Sequence, residues 1–147
     1  MFKDAKLENV IFPSLCKQIL EADNSIRFVG VANKFGTQIA SQYRKGLVQL
    51  LTESQSQLSV IESAIRMYTR IGEKDVESKL GNPIYSFTLY EKKIKRATFL
   101  LENEDYPILM VSLDKEEDAV AKSDHVYVTL SKILSILKEQ IHLTSKK

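Results

Sequence analysis

The sequence predicts an α+β fold: a single five-stranded, mainly antiparallel sheet in the order 2-1-5-4-3, with helices on both faces. The first observation behind this is the order of signals along the chain: helix, two-strand hairpin, long helix, three-strand meander, long helix. The second is strand polarity. Strands that are apolar on both sides belong in the middle of a sheet, covered on each face, and here the first and fifth have that character. Joining hairpin and meander through those two strands gives the order.

The first helix is clearest from Pro13 to about Ala22. Proline at a first helical position loses nothing, because that N–H would be unpaired anyway. Phe12, Leu15, Cys16, Ile19 and Leu20 fall on one side, and Asp23-Asn24-Ser25 ends the helix. Lys6 to Ile11 can add a helical turn, although Pro13 should break or kink a continuous helix there. Ile26 to Ala32 is the first strand, with Ile26 and Phe28 on one face and Val29 and Val31 on the other. Asn33-Lys34-Phe35-Gly36 supplies a turn in which Gly36 can take a positive φ, and Thr37 to Tyr43 returns as a more polar strand.

Thr52-Glu53-Ser54-Gln55 matches a capping box, whose side chains satisfy free N–H groups at a helix start. Leu58, Ile61, Ala64, Ile65 and Tyr68 form the inward stripe of that helix. Val60, Met67 and Ile71 widen the apolar arc to about 180°, well beyond the roughly 100° one contact face requires. That excess marks Val60, Met67 and Ile71 as a candidate dimer interface. Glu73 to Leu80 can form a further short helix, closed by Gly81-Asn82-Pro83. Strands follow at Ile84 to Glu91, Ile94 to Leu101 and Ile108 to Leu113. The last helix carries Val126, Leu130, Ile133, Leu134, Leu137 and Ile141 on one arc.

Length sets the remaining frame. A chain of 147 residues fits one domain, spanning 1–147, with residues 1–11 and 144–147 expected as flexible ends. A net charge of +2 names no partner, and the single cysteine, Cys16, excludes an intramolecular disulfide framework. No apolar run is long enough to span a bilayer and no hydrophobic leader is evident, so a cytoplasmic location without membrane attachment is expected.

No residues group into an evident active site. His125 and His142 are the only histidines, and on a helix they would stand about 25 Å apart, too far to share a metal. The glycines fit neither a P-loop nor a dinucleotide fingerprint, and no nucleophile elbow is present. No catalytic residue, cofactor or metal is therefore expected. Lys92, Lys93, Lys95 and Arg96 form the one dense basic cluster, a candidate anion contact. A charged hairpin that keeps a sheet edge from pairing explains the same residues, and nucleic acid is not an expected partner. Tyr85, Phe87 and Phe99 either fill the core or line a ligand pocket.

The stretch from Arg27 to Ser41, an apolar strand, a glycine-closed turn and a strand ending Ile39-Ala40-Ser41, resembles the first hairpin of the roadblock/light-chain family, within the profilin-like group. That family often places an acidic residue before the glycine, where this chain has Phe35. The element order α-β-β-α-β-β-β-α extends the resemblance to nearly the whole chain. The segments from Ile26 to Val31 and from Asp124 to Leu137 also look like a group of short uncharacterised archaeal proteins. The resemblance implies a homodimeric, non-enzymatic module that serves as a scaffold or regulator of a small GTPase. The sheet order is shared with PAS sensory domains, so the alternative is a sensor binding a small molecule in its core.

Overall fold

The computed structural model describes residues 5–46, 55, 62, 79–92, 94–114 and 123–144, without the side chains of 123, 124 and 141–144. Helix α1 (Phe12–Ala22) leads into β1 (Ile26–Ala32) and β2 (Gln38–Tyr43). Strands β3 (Tyr85–Leu89), β4 (Lys95–Leu100) and β5 (Ile108–Leu113) form the meander, and α2 (Ser123–Thr144) is the final described helix. The sheet order is β2-β1-β5-β4-β3 and every pairing is antiparallel, as strand polarity predicts. No helix among the described residues is long and apolar enough to cross a membrane.

The two central strands are buried because each contributes to two apolar layers. On one face Ile26, Val29 and Val31 of β1, Ala97 and Phe99 of β4, and Leu109, Val111 and Leu113 of β5 meet α1 and α2. Helix α1 supplies Phe12, Leu15, Cys16 and Ile19, and α2 supplies Leu130 and Ile133. Each large side chain fully buried in this way contributes about 1.5–3 kcal/mol of transfer free energy. On the other face Ala32, Ile108 and Met110 are buried with Leu100 against them. The helix expected from Thr52 onward lies for the most part outside the described residues. Gln55 and Glu62 within it are helical and exposed.

Two local features differ from expectation. The helix does not break at Pro13. A π-helical turn, Leu7–Ile11, precedes α1, and the Phe12 N–H reaches back to the Leu7 carbonyl. A widened turn relieves the clash between a proline ring and the carbonyl four residues earlier, and proline has no N–H to lose. Leu7 is buried in this turn, and Glu8 accepts a 2.6 Å hydrogen bond from the Tyr106 hydroxyl. Secondly, Ile26 shares a face with Val29 rather than Phe28. The β1–β5 register shifts between Ile26 and Phe28, with Ile26 opposite Leu113 and Phe28 opposite Ser112. Arg27 is thus the extra residue of a bulge, which returns Ile26 to the helix-covered face.

Gly36 takes φ +83° in the β1–β2 turn, as its position demands. Gly30 matters for a different reason. Phe28 stacks on Tyr43 with ring centroids 4.7 Å apart, and its ring lies across the Gly30 backbone. A Cβ at residue 30 would stand 2.7 Å from Phe28 Cζ and 3.2 Å from Gln38 Oε1. Gly30→Ala should therefore cost about 1–3 kcal/mol through overpacking. Urea denaturation checks this. Combining it with Phe28→Leu should recover part of the loss, because the two sites couple through contact.

Candidate interaction surface

The two edges of the sheet are built differently. At the β2 edge the register slips between Val31 opposite Ala40 and Ala32 opposite Gln38, leaving Ile39 as an extra residue. Such a bulge twists an edge and blunts it against pairing with another chain. The β3 edge has no such device. Its register with β4 runs without a slip from Tyr85 opposite Phe99 to Leu89 opposite Lys95. The strand Tyr-Ser-Phe-Thr-Leu has no charge, proline or glycine and is rich in residues that favour strands.

Backbone groups on β3 point outward in a regular row. Leu100 N–H donates to Ile84 O and Tyr90 N–H to Ile94 O, so even-numbered residues face β4. Alternation in an antiparallel pair then turns the N–H and C=O of Tyr85, Phe87 and Leu89 away from the sheet. Their side chains share one face. Tyr85 packs on Phe99 with centroids 5.3 Å apart, whereas Phe87 is 37% and Leu89 51% exposed. Ile84 and Tyr90, flanking the strand, are also exposed. Among the described residues no backbone group pairs with this row, and an exposed apolar group beside such a row is a place where another strand can add.

The basic cluster divides among different surroundings. Lys92 is exposed in the β3–β4 turn and Lys93 lies outside the described residues. Lys95 is only 3% exposed. Arg96 is half-buried, on the opposite sheet face, where its guanidinium donates to Met110 Sδ. Neighbouring strand residues point to opposite faces, so Lys95 and Arg96 do not form one anion contact. Nor do they charge the β3 edge. Of the aromatic trio, Phe99 is buried and stacked on Tyr85 while Phe87 is exposed. Val60, Met67 and Ile71 lie outside the described residues.

A polar network absent from the sequence reading joins α1, β1 and α2. Asp23 ends α1 with its side chain 5% exposed. One carboxylate oxygen accepts from the Ser25 N–H at 2.9 Å and the Ser25 hydroxyl at 2.8 Å. The other accepts from Lys132 Nζ at 3.1 Å, and the Thr129 hydroxyl lies 3.2 Å away. The single Thr129 proton is placed between that oxygen and the His125 carbonyl at 3.0 Å. His125 Nε2 stands 3.4 Å from the first oxygen, so this histidine faces a buried carboxylate. Burial alone would raise the Asp23 carboxyl. The Ser25 and Lys132 hydrogen bonds, with the nearby His125, outweigh it and hold the group well below the usual carboxylate range.

A second pair closes the same end of the sheet. Arg44 grips Asp114 with two hydrogen bonds, at 2.8 and 2.9 Å, and also donates to the Asn24 carbonyl. This bidentate contact holds the Arg44 guanidinium protonated above its ordinary value. It ties the end of β2 to the residue after β5. Both networks join structural elements.

No family sequence model matches the chain, and no curated protein matches it significantly. Its fold is similar to those of several solved structures. MglB of Myxococcus xanthus is 12% identical, with a TM-score of 0.60 over 92% of this chain and 96% of that one. A Roadblock/LC7 domain from Streptomyces avermitilis is 10% identical, with a TM-score of 0.55 over 87% of this chain and 92% of the other. An MglB with a tetrameric arrangement is 11% identical, with a TM-score of 0.54 over 95% of each chain. The chain thus has a roadblock-like fold. At these identities the likeness is one of fold.

Proposed function

We propose that this protein is a non-enzymatic, single-domain regulatory module of the cytoplasm that works as a homodimer and engages a small GTPase. The observation that carries the assembly is the unbulged and uncharged β3 edge, unpaired among the described residues, with Phe87 and Leu89 exposed beside outward-facing backbone groups. The roadblock-like fold supports the regulatory part, because the resemblance drawn on the first hairpin implies GTPase regulation. The apolar excess that the sequence carries at Val60, Met67 and Ile71, outside the described residues, is a further candidate for the same assembly. The sensor alternative would need an enclosed aromatic pocket, and an exposed Phe87 is a poor wall for one.

Multi-angle light scattering on the purified chain, followed by titration against small GTPases loaded with GDP or a non-hydrolysable GTP analogue, tests this reading. A dimer at tens of micromolar that prefers one nucleotide state is the expected result. A monomer, or a saturable thermal shift of several degrees with a small metabolite and no GTPase binding, would overturn it in favour of the sensor.

A further inference from the structure

We infer that the β1–β2 turn is a docking tip, with Phe35 as an aromatic anchor that enters an apolar pocket rimmed by basic side chains on the partner. The inference rests on the small-GTPase reading above and names the surface that this partner meets. Phe35 is 65% exposed, and its ring lies 5.6 Å from the Lys34 ammonium. A ring so far out in solvent adds little to the stability of the single chain. The turn itself requires only Gly36, which takes the positive φ. Isolated exposed apolar side chains are ordinary on a surface; Phe35 differs in how its turn is held and in the charge around it.

The turn is fixed from within and from a neighbouring loop. Asn33 Oδ1 accepts from the N–H groups of Phe35 and Thr37, each at 3.0 Å, and the Gly36 N–H donates to the Asn33 carbonyl at 3.0 Å. The Asp105 carbonyl accepts from the Lys34 N–H at 2.9 Å, and the Asp105 carboxylate pairs with Lys34 Nζ at 3.0 Å. That loop is anchored in turn. Asn103 Oδ1 accepts from the N–H groups of Asp105 and Tyr106, and the buried Tyr106 ring packs on Phe12 with centroids 5.1 Å apart. Binding residues are commonly carried on loops that a rigid scaffold positions, and an anchor already ordered loses little freedom on docking. Charge sets the partner's character. The chain as a whole is +2, yet beside this tip Glu102 and Glu104 are exposed and Asp105 already neutralises Lys34. The local surplus is negative, so the complementary surface carries lysine or arginine around its apolar pocket. The turn joins β1 to β2, and β5 and β4 separate β1 from β3, so docking here leaves the proposed dimer contact open.

Calorimetric titration of the full chain with the GTPase, in the nucleotide state that binds it best, tests the tip. Phe35→Ser should weaken Kd about thirtyfold, as truncation of a central aromatic anchor does, while Phe35→Leu should keep most of the affinity. Raising the salt concentration should weaken binding by the native chain. Glu102→Lys with Glu104→Lys should weaken it already at low salt and flatten that dependence. All three positions are exposed, so thermal unfolding and light scattering of each variant should match the native chain. Phe35→Ser that binds the GTPase as tightly as the native chain would overturn the tip and leave the GTPase reading standing. A native chain that binds no GTPase would remove both. Phe35→Ser that loses self-association would make the tip a contact between copies and so overturn the assignment to a partner.

Discussion

Asp23→Ala should destabilise the folded chain by about 2–4 kcal/mol at pH 7, near the range for breaking a buried charged network. The size follows from what is left behind. Alanine removes the acceptor for the Ser25 N–H, the Ser25 hydroxyl and Lys132, and Thr129 is fully buried beside the same site. Lys132→Ala should cost under about 1 kcal/mol, because Lys132 is half exposed and such pairs are weakened by water. The effect of Asp23→Ala should also depend on pH. The Asp23 carboxyl is held low in the folded chain, so its contribution is complete above the unfolded value near 4 and declines as pH falls through the lower, folded value. Urea midpoints for native and Asp23→Ala chains should therefore differ most at neutral pH and converge in strong acid. A constant gap from pH 7 to pH 2 would mean the loss is one of packing and not of charge.

Features that depend on one strand's own pattern were legible in the sequence. Alternation and two-sided burial placed β1 and β5 at the centre and gave the order β2-β1-β5-β4-β3. Gly36 declared its turn because few residues other than glycine accept a positive φ there. What failed depends on a partner distant in the chain. The bulges at Arg27 and Ile39 exist only relative to the strand opposite, so no property of the bulged strand alone marks them. Asp23 reads locally as a helix stop, whereas Thr129 and Lys132 approach it from 106 and 109 residues away. Lys95 and Arg96 read as one basic cluster until pleating sends them to opposite faces. Their inward placement leaves β3 uncharged. The signal for that edge was present: an apolar alternation without charge from Ile84 to Tyr90, on a strand already assigned to the outside of the sheet.

Phe87→Lys should turn the proposed dimer into a monomer at tens of micromolar without unfolding it. Phe87 is more than a third exposed in the single chain, so lysine there removes little intrachain burial, and its stem can still lie on the sheet. In a two-fold contact through β3 the same change brings two ammonium groups together and removes both phenyl rings from the contact. Juxtaposed like charges across an interface cost several kcal/mol, and about 3 kcal/mol already weakens Kd roughly a hundredfold. Ser41→Lys, on the bulged β2 edge, should leave assembly unchanged and controls for added charge. Light scattering and sedimentation velocity at matched concentrations read the result, with thermal unfolding to show that each variant is folded. A Phe87→Lys chain that stays dimeric would remove β3 from the interface. Met67→Glu then decides whether the apolar excess expected at Val60, Met67 and Ile71 holds the two copies together. If the strand and that apolar excess act together, each substitution should weaken the dimer and the pair should abolish it.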